Sequence, residues 1–189
     1  SSIAFTMDKG GTENAQIYLL DPNSASSKML TDGASRNGGP LWNNAGDKLA
    51  FQSTKRNGRS NDVWIMSSDD PENSELILES PDGTWWGAAD WTEDDQKILI
   101  QNYISVSNSQ AYIVDLKTKK KTLVLGNKDQ PSVNSALAFD GKDEGIFFIT
   151  DKYGSFNQLA YHDLETQDVT VISNDIPWDV DGFAISEDG

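Results

Sequence analysis

Four copies of one pattern, recurring about every 47 residues, constrain this 189-residue chain more than any other feature it has. The run Ile17-Tyr18-Leu19-Leu20-Asp21 returns as Val63-Trp64-Ile65-Met66-Ser67, Ala111-Tyr112-Ile113-Val114-Asp115 and Leu159-Ala160-Tyr161-His162-Asp163, at steps of 46, 48 and 48. A second set, Ile3-Ala4-Phe5, Leu49-Ala50-Phe51, Ile98-Leu99-Ile100 and Ile146-Phe147-Phe148, follows steps of 46, 49 and 48. A third set comes after each unit: Met29-Leu30, Leu76-Ile77-Leu78, Leu123-Val124-Leu125 and Val169-Thr170-Val171-Ile172. A fourth comes before each: Leu41-Trp42, Asp90-Trp91, Ala138-Phe139 and Ala184-Ile185.

Each unit therefore holds four short apolar segments separated by turn chemistry. Asp115-Leu116-Lys117-Thr118 and Asp163-Leu164-Glu165-Thr166 superimpose at a step of 48, as matching hairpin tips would. Lys9-Gly10-Gly11, Asn57-Gly58 and Tyr153-Gly154-Ser155 mark middle turns that need positive φ. Segments of four to six residues rich in Ile, Val, Tyr, Phe and Trp predict strands, and no window sustains a 3.6-residue period. Many are apolar on consecutive residues, the pattern of a strand covered on both faces. A four-stranded antiparallel sheet of this length, packed on both faces by copies of itself, is a propeller blade. The expected fold is an all-β, four-repeat β-propeller forming a single domain over residues 1–189, or a segment of a larger propeller. The phase of the repeat adds a detail. The chain starts on a second strand and ends on a first one, so Gly182-Phe183-Ala184-Ile185-Ser186 is expected to be the sixteenth strand and to complete blade one against Ile3-Ala4-Phe5. That pairing would form within one chain, or between chains in a propeller-completing homodimer.

Composition narrows the functions. Lys plus Arg is 15 and Asp plus Glu is 30, a net charge of −15 that repels nucleic acid. The longest apolar run is four residues, as in Ile146-Phe147-Phe148-Ile149, whereas a membrane-spanning helix needs about 20, so no membrane partner is expected. Without cysteine there is no disulfide, thiolate metal site or cysteine nucleophile, and a single histidine, His162, excludes multi-histidine metal centres. No cofactor is expected. Ser1-Ser2-Ile3-Ala4-Phe5 already reads as strand and not as a signal peptide, so the chain reads as the inside of a larger or processed protein. Periplasm and cytoplasm both stay open.

Gly39-Pro40-Leu41-Trp42-Asn43-Asn44-Ala45-Gly46-Asp47-Lys48-Leu49-Ala50-Phe51 resembles the TolB-like propeller repeat, whose usual turn is Ser-Pro-Asp-Gly-Lys before Ile-Ala-Phe. Four further stretches, Ser35-Arg36-Asn37-Gly38-Gly39-Pro40, Ser53-Thr54-Lys55-Arg56-Asn57-Gly58, Tyr103-Ile104-Ser105 and Ile176-Pro177-Trp178-Asp179-Val180-Asp181-Gly182-Phe183, are similar to the propeller of bacterial prolyl oligopeptidase-family serine peptidases. The turn motif departs from the family in most copies: Asn43-Asn44-Ala45-Gly46, Thr92-Glu93-Asp94-Asp95 and Asp140-Gly141-Lys142-Asp143, with only Ser186-Glu187-Asp188-Gly189 approaching it. The resemblance implies a non-catalytic domain that caps a hydrolase and filters substrates by size. A stand-alone TolB-like interaction scaffold is the alternative. Either way the expected partner is a peptide or protein, including a hydrolase domain missing from this chain.

Catalytic machinery is not expected in the chain itself. No Gly-x-Ser-x-Gly elbow occurs, and His162, between Tyr161 and Asp163 on a strand, reads as structural. The acid pairs Asp69-Asp70 and Asp94-Asp95 fall in turns without the oxygen spacing of a calcium loop. Lys119-Lys120-Lys121 reads as protection of an outer edge strand. Trp42, Trp64 and Trp91 occupy repeated strand positions and are expected in the core. Trp85, Trp86, Trp178 and Asp179, with Arg36 and Asn37, fall in segments leading from an outer strand to the next inner one. They are the expected channel-mouth or partner-facing residues.

Overall fold

The consecutive apolar triplets of the sequence become inner strands of three antiparallel sheets and the edge strand of a fourth in a computed structural model, which describes residues 2–81 and 83–186. The first sheet is β1 (Ile3–Met7), β2 (Gln16–Asp21) and β3 (Ser26–Met29). The second is β4 (Asn37–Trp42), β5 (Lys48–Ser53), β6 (Asp62–Ser67) and β7 (Glu75–Leu78). The third is β8 (Trp85–Trp91), β9 (Lys97–Ser105), β10 (Asn108–Asp115) and β11 (Lys121–Leu125). The fourth is β12 (Ser135–Phe139), β13 (Gly145–Thr150), β14 (Gln158–Asp163) and β15 (Val169–Val171). Each strand pairs with its neighbour in sequence, so every sheet is a simple meander with the topology of a propeller blade. No helix occurs among the described residues.

Five consecutive residues of β5, Leu49 to Ser53, are buried, and Ile98, Leu99 and Ile100 of β9 are wholly inaccessible. That is the two-sided burial the sequence predicts for these strands. The chain divides into two compact units, Ser1–Ala88 and Ala89–Gly189. In the first, Ile17 and Leu30 pack with Leu49, Phe51 and Met66 across the first two sheets. In the second, Leu99, Ala111 and Leu125 pack with Phe139, Ile146 and Phe148 across the other two. Each of the Leu, Ile, Phe and Met side chains among them contributes about 1.5–3 kcal/mol by leaving water.

The acidic turns have a structural use. Asp21, Asp115 and Asp163, at the same place in three repeats, each accept backbone N–H groups of the hairpin that follows: Asn23 at 2.9 Å, Thr118 at 2.7 Å and Thr166 at 2.7 Å. Those hydrogen bonds hold all three carboxyls below the usual aspartate range. Asp94 does the same for Gln96 N–H and the Thr92 hydroxyl. Lys121 opens β11 and sits over the Tyr112 ring, 4.8 Å from its centroid.

Three expectations are corrected. Residues 182–186 form no strand, so the described residues hold fifteen strands, and β1 pairs with β2 alone. The strand expected over Phe183-Ala184-Ile185, cast as the partner of Ile3-Ala4-Phe5, is not formed. The preceding segment is tied down instead: Asn157 N–H donates to Asp179 Oδ1 at 2.7 Å and Val180 N–H to the Asn157 carbonyl at 2.9 Å. The Phe183 ring then lies 6.1 Å from that of Phe147 on β13 and finds its apolar contact there. Glu187-Asp188-Gly189 lie outside the described residues. Second, Trp85, Trp86 and Asn37 belong to the strands β8 and β4 and not to the connections before them. Third, of the three tryptophans expected in the core, Trp91 is buried, while Trp42 and Trp64 pack against the first unit's core and stay half-buried.

Candidate functional site

A buried polar position, invisible to an apolar pattern, builds the first unit's candidate site. Gln16, Asp62, Gln110 and Gln158 begin or nearly begin the third strand of each repeat, at steps of 46, 48 and 48, and all four are buried. Gln16 shows what the position does. Its Nε2 donates to the Ser35 carbonyl at 2.7 Å, and its Oε1 accepts from the Thr31 hydroxyl at 2.7 Å and from Gly33 N–H at 2.9 Å. The connection from β3 to β4 is thereby fastened to β2. Asp62 serves the second repeat through Ser80 N–H at 2.8 Å, and it is fully inaccessible. It also receives the Arg56 guanidinium at 2.6 and 3.0 Å, while Arg56 reaches Glu79 at 2.8 Å.

Asn37 completes the fastening from the other side. Its Nδ2 donates to Gln16 Oε1 at 3.1 Å and to the Ser35 carbonyl at 2.9 Å, and its backbone N–H donates to the Ala15 carbonyl at 2.9 Å. Asn134 occupies the matching place before β12: its Nδ2 donates to the Ser109 carbonyl at 2.8 Å, and its N–H to the Ser109 hydroxyl at 2.7 Å. Asparagine here is a structural staple. The signal that could have found it is its place at the start of the inner strand, as the first residue of β4 or directly before β12.

Held in this way, Arg36 and Asn37 line a cavity of about 430 Å³ together with Gln52, Asn61, Trp85 and Glu13. Gly39, at φ +57°, carries no Cβ, and the Gln52 amide fills the space where one would lie, 2.8 Å away. Gly87 is the same kind of contact for Gln52 and for the Trp85 ring. Two glycines thus let Gln52 and Trp85 close down on the backbone and leave the indole 37% exposed at the cavity wall. Arg36 is exposed and makes no ion pair among the described residues. A guanidinium without an ion pair, beside an indole face and amides, offers bidentate hydrogen bonds to a carboxylate, a ring face to an apolar group, and amide donors and acceptors to polar groups.

The structure brings three of the six residues expected at a partner-facing mouth, Arg36, Asn37 and Trp85, onto one cavity. Trp86 is not available, being 2% exposed. Trp178 is 68% exposed in the second unit, and Asp179 beside it is occupied by Asn157 N–H. Gln52 and Asn61 were not singled out by the sequence. His162 lies on β14, 4% exposed, with neither ring nitrogen hydrogen-bonded to a described residue. Burial pushes its pKa below the usual histidine range, against the opposing pull of the Asp168 backbone and the Asp163 carboxylate. Among the described residues no three His, Asp or Glu side chains converge to hold a metal ion.

Comparison with known proteins places this geometry. The sequence model of a family described as prolyl oligopeptidase, N-terminal beta-propeller domain, matches residues 1–172. Among solved structures, TolB from Acinetobacter baumannii aligns with a TM-score of 0.71 at 17% identity, over 90% of this chain and 41% of that one. A prolyl endopeptidase aligns with a TM-score of 0.63 at 15% identity, over 90% of this chain and 28% of that one. The chain thus spans less than half the length of either structure, and at such identities the likeness is one of fold. No curated protein sequence matches.

Proposed function

The chain belongs to the prolyl oligopeptidase N-terminal β-propeller family, and on that premise we propose that it is a non-catalytic gating and docking domain that admits peptides to a serine peptidase active site carried elsewhere. The observation that carries this reading is the family match across residues 1–172. The cavity of Arg36, Gln52 and Trp85 supports it as a surface suited to an extended peptide. In this role the propeller supplies no nucleophile. It selects by size and by transient contact, and its binding energy is spent on positioning the substrate.

Two measurements test the proposal. The purified chain should leave aminoacyl and ester reporters intact; turnover that survives repurification and is lost on mutating a serine would refute a non-catalytic role. Joined to a prolyl oligopeptidase-type hydrolase domain, it should allow cleavage of octapeptides and block cleavage of unfolded proteins. Arg36→Ala and Trp85→Ala should raise KM for peptides several-fold and leave kcat on a small reporter unchanged. Equal cleavage of long and short substrates would reject gating. A TolB-like interaction scaffold is the second reading, suggested by the fold likeness to TolB. It predicts a stable complex with a folded partner protein and no effect of the chain on any hydrolase.

A further inference from the structure

A larger cavity, of about 680 Å³, opens elsewhere in the first unit, between β3 of the first sheet and the second sheet. It shares only Asn37 with the site above. Its apolar lining includes Met29 on β3, Phe51 on β5 and Met66 on β6. Its rim is the hairpin between β6 and β7, which contributes Asp69, Asp70 and Glu72. With Asp32 the lining holds four carboxylates against the two ammonium groups of Lys28 and Lys55, leaving two negative charges in excess. Lys55 is already engaged: its Nζ lies 3.9 Å from the Trp64 ring centroid, donates to the Ser74 hydroxyl, and feels the Asp32 carboxylate.

Asn37 supplies an independent sign of a ligand. It is 4% exposed, and its Nδ2 is spent on neighbouring acceptors, yet its Oδ1 has no hydrogen-bond partner. A buried carbonyl oxygen left unpaired is costly, and Asn37 is among the residues that line this cavity. The acidic rim asks for a cation, the orphaned acceptor for an N–H donor, and the thioethers and Phe51 for an apolar or aromatic stem. The net charge of −15 favours approach of the same kind of ligand.

We propose that this cavity binds a primary ammonium or guanidinium group carried on an apolar stem, such as the basic end of a small amine or of a peptide. The stem lies against Met29, Phe51 and Met66, and the cation sits at the rim of Asp69, Asp70 and Glu72. The proposal does not depend on the peptidase reading, because it concerns a different cavity and needs no hydrolase.

Three probes with one ring system isolate the charge: tryptamine, neutral tryptophol and anionic indole-3-propionate. The chain labelled with methyl-¹³C methionine has three reporters, of which Met29 and Met66 line the cavity and Met7 does not. Tryptamine should shift Met29 and Met66, leave Met7 in place, and bind about tenfold more tightly than tryptophol, with indole-3-propionate weakest. In the triple variant Asp69→Asn, Asp70→Asn, Glu72→Gln, changed only on an exposed hairpin, tryptamine should fall to the level of tryptophol. The proposal is overturned by equal binding of tryptamine and tryptophol, by a preference for the anion, by shifts at Met7 instead, by a charge preference that survives in the triple variant, or by no binding of any probe at millimolar concentration.

Discussion

A histidine buried away from water penalises the fold whenever it carries a charge. His162 is such a residue, and its folded pKa lies below the usual value because burial disfavours the imidazolium. Above about pH 6.5 both folded and unfolded chains keep the ring neutral, and stability is complete. As the pH falls through that value the unfolded chain takes up the proton first, so stability declines until the lower folded pKa is reached. The urea midpoint should therefore drop between pH 7.5 and 5.5, and His162→Leu should drop less. Asp90 and Asp143, whose pKa values burial raises, act in the opposite sense but equally in both proteins, so they cancel in the comparison. Identical pH slopes would remove His162 as the cause. At this scale the sequence was legible for apolar residues and poorly legible for polar ones. Gln16, Asp62, Gln110 and Gln158 repeat as faithfully as the apolar runs. Gln16 owes its burial to partners such as Ser35 and Gly33, supplied by another part of the chain, whereas Gln110 Nε2 and Gln158 Oε1 are buried without a hydrogen-bond partner among the described residues.

At the level of elements, strand existence and order were readable because four apolar sets recur in fixed order. Strand starts were less readable where turn formers sit inside strands. β4 contains Gly38-Gly39-Pro40, a turn signature by composition, yet the chain runs through it as a strand with a register shift between Gly38 and Leu41. The shift accommodates the left-handed Gly39 under the Gln52 amide. β8 starts directly at Trp85, so the two adjacent tryptophans split by the alternation of a strand. Trp85 is half-open to solvent and Trp86 is 2% exposed. Trp178, on a connection, is 68% exposed. Trp86→Ala should therefore cost about 3–5 kcal/mol, and Trp178→Ala well under about 1 kcal/mol. Urea denaturation of the two variants measures the difference. Similar midpoints, or the reverse order, would contradict the placement of β8.

Across the whole molecule, the repeat count was legible and the fate of the last repeat was not. Phe183-Ala184-Ile185 carries the apolar signature of an inner strand, but a signature cannot say which surface it meets. Asn157, 22 residues earlier, holds Asp179 and Val180, and Phe183 follows onto Phe147. The first sheet correspondingly has three strands, and the edge of β1 away from β2 has no strand beside it among the described residues. These two facts make opposite claims on one experiment. Deleting residues 180–189 removes the Val180–Asn157 hydrogen bond and the Phe183–Phe147 ring contact, together worth about 1–3 kcal/mol. Amide exchange near Asn157 and Phe147 should then accelerate, while exchange at Ile3–Met7 stays as it was, because β1 takes its ladder hydrogen bonds from β2. If the β1 amides lose protection instead, the terminal segment does complete the first sheet in solution.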